Sequence, residues 1–317
     1  MTDEDDAGAL ALGAGREFDA IRSMLGVWGD RARGIGDDAA VLDVPAGERL
    51  VASTDASIEG VHFRRDWLSP REIGARAAAA ALSDLAAMAA TPLGMLLALG
   101  VPAAWRERLD DIARGVGDVA ERAGCPIVGG NVSAAGELSL TLTVLGAAGR
   151  PLTRGGLLAG DVLYVTGVLG GPAAALDALR NGRTPHAAHR ERFAAPEPRL
   201  VEARWLADAG AHAAIDVSDG VVADAGHLAA ASGVRVALEL ASLPRIDGAT
   251  PERAATSGEE YELLVGFPSR SLPDVRAFRE RFGVALTAIG SATEGRGVIV
   301  ERDGVRVDPL LGHDHLS

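Results

Sequence analysis

Gly149-Arg-Pro-Leu-Thr-Arg-Gly-Gly-Leu-Leu-Ala-Gly-Asp-Val-Leu-Tyr-Val165 decides the architecture. Its first half is turn chemistry: Gly149-Arg150-Pro151 and Arg154-Gly155-Gly156 punctuate the chain as loops do. From Asp161 a fresh apolar run begins, as a new strand should. The boundary between two domains falls here, at 1–148 and 149–317. A chain of 317 residues is longer than single cores usually grow, so two domains of roughly 150 residues each are expected.

Working back toward the N-terminus, Phe18, Ile21 and Leu25 recur at helical spacing within 16–25. The turn Gly34-Ile35-Gly36-Asp37-Asp38 then leads into a strand expected over 39–44, and a second strand is expected over 49–54, ending at Asp55. An Ala/Leu helix over 73–90, a buried strand over 93–101, an amphipathic helix over 110–123 and a strand over 126–128 follow. That last strand ends in Gly129-Gly130-Asn131, and Leu140, Leu142 and Val144 alternate as in a half-buried strand. Past the boundary come a strand over 162–166 and a glycine turn at 167–171. A helix over 173–180 and an Arg/His/Pro loop over 184–198 are next. The pattern continues as a helix over 199–207, a strand over 213–217, a helix over 221–231 and a strand-rich remainder through Val307. Helices and strands mix without strict alternation, which reads as an α/β protein built of α+β layers, helices over sheets.

Composition excludes several functions. Aromatic residues are 4% of the chain and the formal charge is −13, so no base-stacking platform or basic stripe for nucleic acid is present. All 31 basic residues are arginine; with no lysine, a Walker-type phosphate loop and a Schiff-base lysine are ruled out. Cys125 is the single cysteine, which leaves neither a disulfide framework nor a cysteine metal site. The first residues are acidic rather than basic, and no uninterrupted apolar run approaches the roughly 18 residues of a membrane span. A cytoplasmic protein with no membrane partner is expected.

Aspartates carry the chemistry. Asp37, Asp38, Asp55, Asp84, Asp216 and Asp219 fall at strand ends, at turns or inside apolar segments. Hard oxygen donors on separated segments suit Mg²⁺ bridged to substrate phosphates. Each has a plainer reading beside it. Asp37-Asp38 also suits a solvated turn, and Ser53-Thr54-Asp55 a helix cap. Asp84, inside an almost wholly apolar helix, needs a partner or a metal, because an unpaired buried carboxylate costs several kcal/mol. Asp216-Val217-Ser218-Asp219-Gly220 joins a strand to a helix whose first N–H groups attract anions, although capping by Ser218 or Asp219 is equally compatible. His62 reads as a core-edge histidine, and Ser257-Gly-Glu-Glu-Tyr-Glu262 as an edge or a substrate contact. Neither a Gly-x-Ser-x-Gly elbow nor a Cys/His pair is evident.

Gly34-Ile-Gly-Asp-Asp38, Ser53-Thr-Asp-Ala-Ser-Ile-Glu-Gly-Val-His-Phe63, Leu82-Ser-Asp-Leu-Ala-Ala-Met88, Asp216-Val-Ser-Asp-Gly220 and Ser257-Gly-Glu-Glu-Tyr-Glu-Leu263, in this order, resemble the thiamine-monophosphate kinase family of the aminoimidazole ribonucleotide synthetase superfamily. The resemblance implies a two-domain aminoimidazole ribonucleotide synthetase-like fold. It also implies a homodimer through the N-terminal sheet, ATP as co-substrate and several Mg²⁺ ions. Thiamine monophosphate would be phosphorylated to thiamine diphosphate. By the same resemblance Asp38, Ser53, Thr54, Asp55, Asp84, Asp216 and Asp219 match metal positions, with Asn131 where the family carries an aspartate. Gly130, Asn131, Arg154 and Ser218 match nucleotide contacts. His62, Glu259 and His313 match substrate contacts, His313 standing near an aromatic position of the family. No catalytic base is assigned, since the attacking phosphate oxygen is already deprotonated near neutral pH. Two rivals remain: another ATP-using member of the superfamily, and a non-catalytic acidic module that binds divalent metal.

Overall fold

The computed structural model describes residues 15–36 and 38–307, so Asp37 and His313 lie outside the described residues. The chain forms two compact units. One gathers the chain up to Ala81 with Pro92–Ala147; the other joins Leu82–Thr91 to the chain from Ala148 onward.

In the first unit, helix α1 (Arg16–Trp28) buries Met24 and Trp28, and the Trp28 indole Nε1 donates to Ala113 O at 2.8 Å. Strand β1 (Arg49–Ile58) precedes helix α2 (Pro70–Ala87), which begins in this unit and ends in the other. Then come β2 (Thr91–Val101), α3 (Leu109–Ala123), β3 (Ile127–Ala134) and β4 (Ser139–Ala148). Helices α2 and α3 touch backbone to backbone, which explains two glycines in helix interiors. A Cβ on Gly74 would stand 2.1 Å from Ile112 O, and one on Gly115 only 1.9 Å from Arg71 O. The four strands run in the order β1-β4-β2-β3, and β2 pairs with β3 in parallel, Ala98 opposite Asn131. Strands β1 and β3 are therefore the two edges of the sheet.

The second unit carries β5 (Asp161–Thr166), α4 (Gly171–Arg180), α5 (Ala187–Ala194), α6 (Leu200–Asp208), β6 (Ala213–Asp216) and α7 (Val221–Ser232). It continues through β7 (Arg235–Glu239), α8 (Pro251–Thr256), β8 (Leu263–Pro268), α9 (Val275–Phe282), β9 (Leu286–Thr293), β10 (Gly297–Arg302) and β11 (Val305–Arg306). Its seven strands lie in the order β11-β10-β7-β9-β5-β8-β6. Only the β10–β7 pair is parallel among those registered. The core is the strand set Leu163, Val165, Ile215, Val236, Leu238, Leu264 and Ile289, closed by Val221, Ala225 and Leu228 of α7. Residues three to four apart on α7 thus face the sheet, leaving its remaining positions for the site.

Four expectations need correction. No strand forms over 39–44: Val41 is 93% exposed and no strand among the described residues pairs with this segment, because a short apolar run flanked by Asp38, Asp43 and Pro45 has no ladder to join. Strand β1 runs past Asp55 to Ile58, so that aspartate lies inside a strand rather than at its end. Gly129-Gly130-Asn131 likewise continues β3 instead of turning out of it. Here the glycines permit close strand approach, since a Cβ on Gly130 would meet Leu97 O at 1.9 Å. Finally, the 184–198 loop contains α5, whose buried face is only Phe193 and Ala194, too narrow a stripe to register as periodicity.

Candidate active site

In the second unit, the motif Asp216-Val-Ser-Asp-Gly220 connects β6 to α7. The strand carries Asp216 to its buried end, and Gly220, at φ 107°, turns the chain against Thr256, whose backbone lies 2.9 Å from where a Cβ would stand. A side chain there is excluded twice, by conformation and by space. From α2, Ser83 Oγ donates to Asp216 Oδ2 at 2.8 Å. Its neighbour Asp84 is half-buried, and its charge acts on Asp216. Burial first, and Asp84 second, push the Asp216 carboxyl up to about 6, while the Arg154 charge works in the opposite direction. The apolar helix that singled out Asp84 does bring it against another carboxylate.

Asp224 was not anticipated. It stands in the first turn of α7, 1% exposed, and its Oδ2 accepts the backbone N–H groups of Ser218 at 3.1 Å and Asp219 at 3.2 Å. These bonds fix the turn that displays the motif. Burial, followed by the charges of Asp216 and Asp219, pushes the Asp224 carboxyl up to about 8. A signal existed in the sequence: an aspartate inside the apolar run 221–231, the same pattern that exposed Asp84.

Glu259 is brought to this turn. Its N–H donates to Ser218 O at 2.8 Å, and the Tyr261 N–H to Val217 O at 2.9 Å. Glu259 and Tyr261 both adopt left-handed backbone, φ 59° and 52°, a strain that costs on the order of 1–3 kcal/mol per residue and that functional sites commonly hold. What holds it is a buried ionic network. Glu262, 0% exposed, receives Arg199 Nε at 2.8 Å and Nη2 at 2.7 Å, Arg192 Nη2 at 2.8 Å and Thr166 Oγ1 at 2.6 Å. These donors draw its pKa below the ordinary carboxylate value despite burial. Glu260, with Arg192 Nη2 at 3.4 Å, is pushed by burial up to about 7.

The first unit holds the other candidates more openly. Ser53 and Asp55 share one face of β1 and are half-buried; Thr54 points to the other face. The Thr54 hydroxyl reaches Leu142 O at 3.3 Å and Thr143 Oγ1 at 3.1 Å. Asp38 is exposed in a bend. Asn131 and Gly130 are exposed on β3, the edge opposite β1, with Asn131 Nδ2 donating to Ser133 Oγ at 2.8 Å. His62 is built into its loop: its Nδ1 accepts the Ile58 N–H at 3.2 Å, and the buried Arg76 donates to its carbonyl at 3.0 Å.

Several carboxylates crowded into low dielectric, with the Arg154 charge lowering Asp216 less than burial and Asp84 raise it, form a donor set that a hard divalent cation fits. At Glu262 two arginines offset the buried charge; at Asp216 the Arg154 charge does not. The arrangement suits neutralising phosphate charge rather than covalent catalysis.

Family models agree with this reading of the fold. The AIR synthase related protein N-terminal domain matches residues 36–148, and the corresponding C-terminal domain matches residues 159–303. Thiamine-monophosphate kinase of Escherichia coli K12 is 36% identical over 320 residues, covering 95% of this chain and 96% of that protein. The Rhodopirellula baltica enzyme of the same name is 36% identical over 84% of this chain and 85% of its own length. Among solved structures, thiamine-monophosphate kinase from Stenotrophomonas maltophilia K279a superposes with a TM-score of 0.79 at 34% identity, over 91% of this chain and 96% of that one. AaThiL complexed with AMPPCP and TMP gives 0.76 at 30%, over 94% and 96%. The hydrogenase maturation protein HypE of E. coli also superposes, at 0.76, but with 21% identity it shares the fold alone, over 94% and 97%. Identity of this extent, over most of the chain and with family models matching both halves, places the chain in the thiamine-monophosphate kinase family.

Proposed function

We propose that the protein transfers the γ-phosphoryl group of ATP to the phosphate of thiamine monophosphate, yielding thiamine diphosphate and ADP. A phosphate oxygen of thiamine monophosphate forms the new bond to the γ-phosphorus as the bond to the β,γ-bridging oxygen breaks, and that electron pair leaves on ADP. The observation that carries the reading is the Asp84–Asp216 pair in the second unit, where burial and like charge push Asp216 up to about 6. A relative of the same fold, 30% identical, is complexed with AMPPCP and TMP.

The residues divide the work. Asp84, Asp216 and Asp219 in the second unit, with Asp38, Ser53, Thr54, Asp55 and Asn131 in the first, would hold Mg²⁺. When bound, Mg²⁺ screens the repulsion between two anionic substrates and stabilises charge on the transferring phosphoryl. Arg154 and Ser218, with Gly130 and Asn131, contact the nucleotide; His62, Glu259 and His313 contact the thiamine portion. Ser83 keeps Asp216 aimed by its hydrogen bond, and the Glu259 backbone N–H, donating to Ser218 O, ties the substrate side to the turn.

A homodimer joined through the N-terminal sheet belongs to the same reading, as does a cytoplasmic setting. The β1 edge lacks a strand neighbour among the described residues, while the β3 edge is bridged only at Ile127, by Ala32; open edges invite a second copy. No helix among the described residues is long and apolar enough to cross a membrane.

The test is direct. Purified protein incubated with ATP and thiamine monophosphate should form ADP and thiamine diphosphate in equal amounts, and only with a divalent cation present. ADP formed with some other acceptor and not with thiamine monophosphate would overturn the assignment.

A further inference from the structure

Asp219, Asp224 and His227 each bring one ligand atom into a group in which all three lie within 4.8 Å of one another. We propose that these residues form a site for a first-row divalent transition ion, separate in chemistry from the Mg²⁺ positions above and sharing only Asp219 with them.

Position in the chain explains the cluster. Asp224 and His227 are three residues apart on α7 and so occupy one face of the helix. Asp219 precedes the helix in the turn that Asp224 Oδ2 clamps through the Ser218 and Asp219 amides. Asp224 is 1% exposed, and its Oδ1 is buried with no hydrogen-bond partner. A buried carboxylate oxygen left so is costly, and a cation among the three residues would satisfy it. His227 is exposed, which leaves a route for the ion to enter.

Donor chemistry selects the class of ion. Mg²⁺ prefers an all-oxygen octahedral shell, whereas an imidazole nitrogen with two carboxylates suits Zn²⁺, Co²⁺ or Mn²⁺. Three protein ligands leave coordination positions for water. An ion there would tie α7 to the Asp216–Gly220 turn, giving the second unit a metal that need not take part in turnover.

Zn²⁺ is the probe. Binding to the whole protein is followed by competition with a chromophoric chelator, in buffer holding millimolar Mg²⁺. The expected result is one Zn²⁺ per chain that Mg²⁺ does not displace, weakened about tenfold or more by His227→Gln, as loss of a ligand requires. Asp224→Asn should weaken it as well, with circular dichroism confirming that the variant is folded. Co²⁺ should give visible absorption bands that change on His227→Gln. Zn²⁺ binding that millimolar Mg²⁺ abolishes, or that His227→Gln leaves unaltered, would overturn the proposal. Since the readout is binding, neither result depends on which reaction the protein catalyses.

Discussion

Replacing Arg199 by methionine removes a two-pronged arginine contact to a fully buried carboxylate. Arg199 is 7% exposed and donates to Glu262 from Nε at 2.8 Å and from Nη2 at 2.7 Å, while Glu262 itself is 0% exposed. Methionine keeps most of the side-chain volume, so packing contributes little to the loss. What is lost is charge. Arg192 Nη2 at 2.8 Å and Thr166 Oγ1 at 2.6 Å remain, enough to keep Glu262 hydrogen-bonded but not to replace a bidentate guanidinium. Breaking one side of a buried ion pair costs about 3–5 kcal/mol; with these two donors surviving, the lower end, about 3 kcal/mol, is expected. For a unit of this size the melting temperature should fall by roughly 6–12 °C. The assay is amide hydrogen exchange across a urea series, read on peptides covering β8, which reports the second unit without assuming that both units unfold together. Adding Glu262→Gln to Arg199→Met should recover part of the loss, because the buried charge is then gone. A loss below about 1 kcal/mol, or a double variant no more stable than the single one, would refute the reasoning.

Gly115→Ala should destabilise the first unit by about 1–3 kcal/mol in urea unfolding. The roughly 1 kcal/mol that alanine gains in a free helix is outweighed by a Cβ placed 1.9 Å from Arg71 O, and a stabilised variant would sink this account of the α2–α3 contact. Asp84→Asn should abolish thiamine diphosphate formation while circular dichroism and melting stay close to wild type; retained turnover would return Asp84 to a purely structural role. Glu260, pushed up to about 7 by burial, stays protonated in the folded chain where the unfolded chain has ionised, so it withdraws stability as pH rises from about 4.5 to about 7. Stability measured between pH 5 and pH 8 should therefore decline less steeply in Glu260→Gln than in wild type, and identical slopes would contradict it. Glu262, held below its ordinary value, acts in the opposite sense: its contribution is present above about 4.5 and is lost as pH falls through its folded pKa, so Glu262→Gln should be less acid-sensitive than wild type.

Much of this was legible because period and punctuation are local. The Ala/Leu run that became α2, the alternation in β4 and the turn chemistry near Gly149 each announce an element without tertiary information. Less legible was whatever depends on neighbours. Strand β1 continues through Ser53-Thr-Asp-Ala-Ser-Ile58 because β4 lies beside it, although polar residues there read as a strand end. Helix α5 forms with a two-residue buried face, which periodicity does not detect. In the site, the motifs located Asp216 and Asp219 but not Asp224, since the turn's clamp sits outside the motif and its role appears only when the Ser218 and Asp219 amides are seen to converge on it.

Asn131 stands where the sequence resemblance implies an aspartate, and its surroundings bear on what such a difference would cost. Two charges 4 Å apart interact by about 1 kcal/mol in water and by about 4 kcal/mol at an effective dielectric of 20. Asn131 is exposed on an edge strand, its amide nitrogen already engaged by Ser133 Oγ, so a carboxylate missing there forfeits attraction at the weaker end of that range. Asp216 and Asp224 are 4% and 1% exposed, where each charge counts several times more and where burial first, and like charge second, push both carboxyls upward. On this arithmetic the buried carboxylates of the second unit would attract a cation more strongly than an exposed residue on β3. If the proposed metal roles hold, Asp84→Asn or Asp216→Asn should therefore cost more activity than Asn131→Ala, because the buried carboxylates lose charge where solvent screens it least.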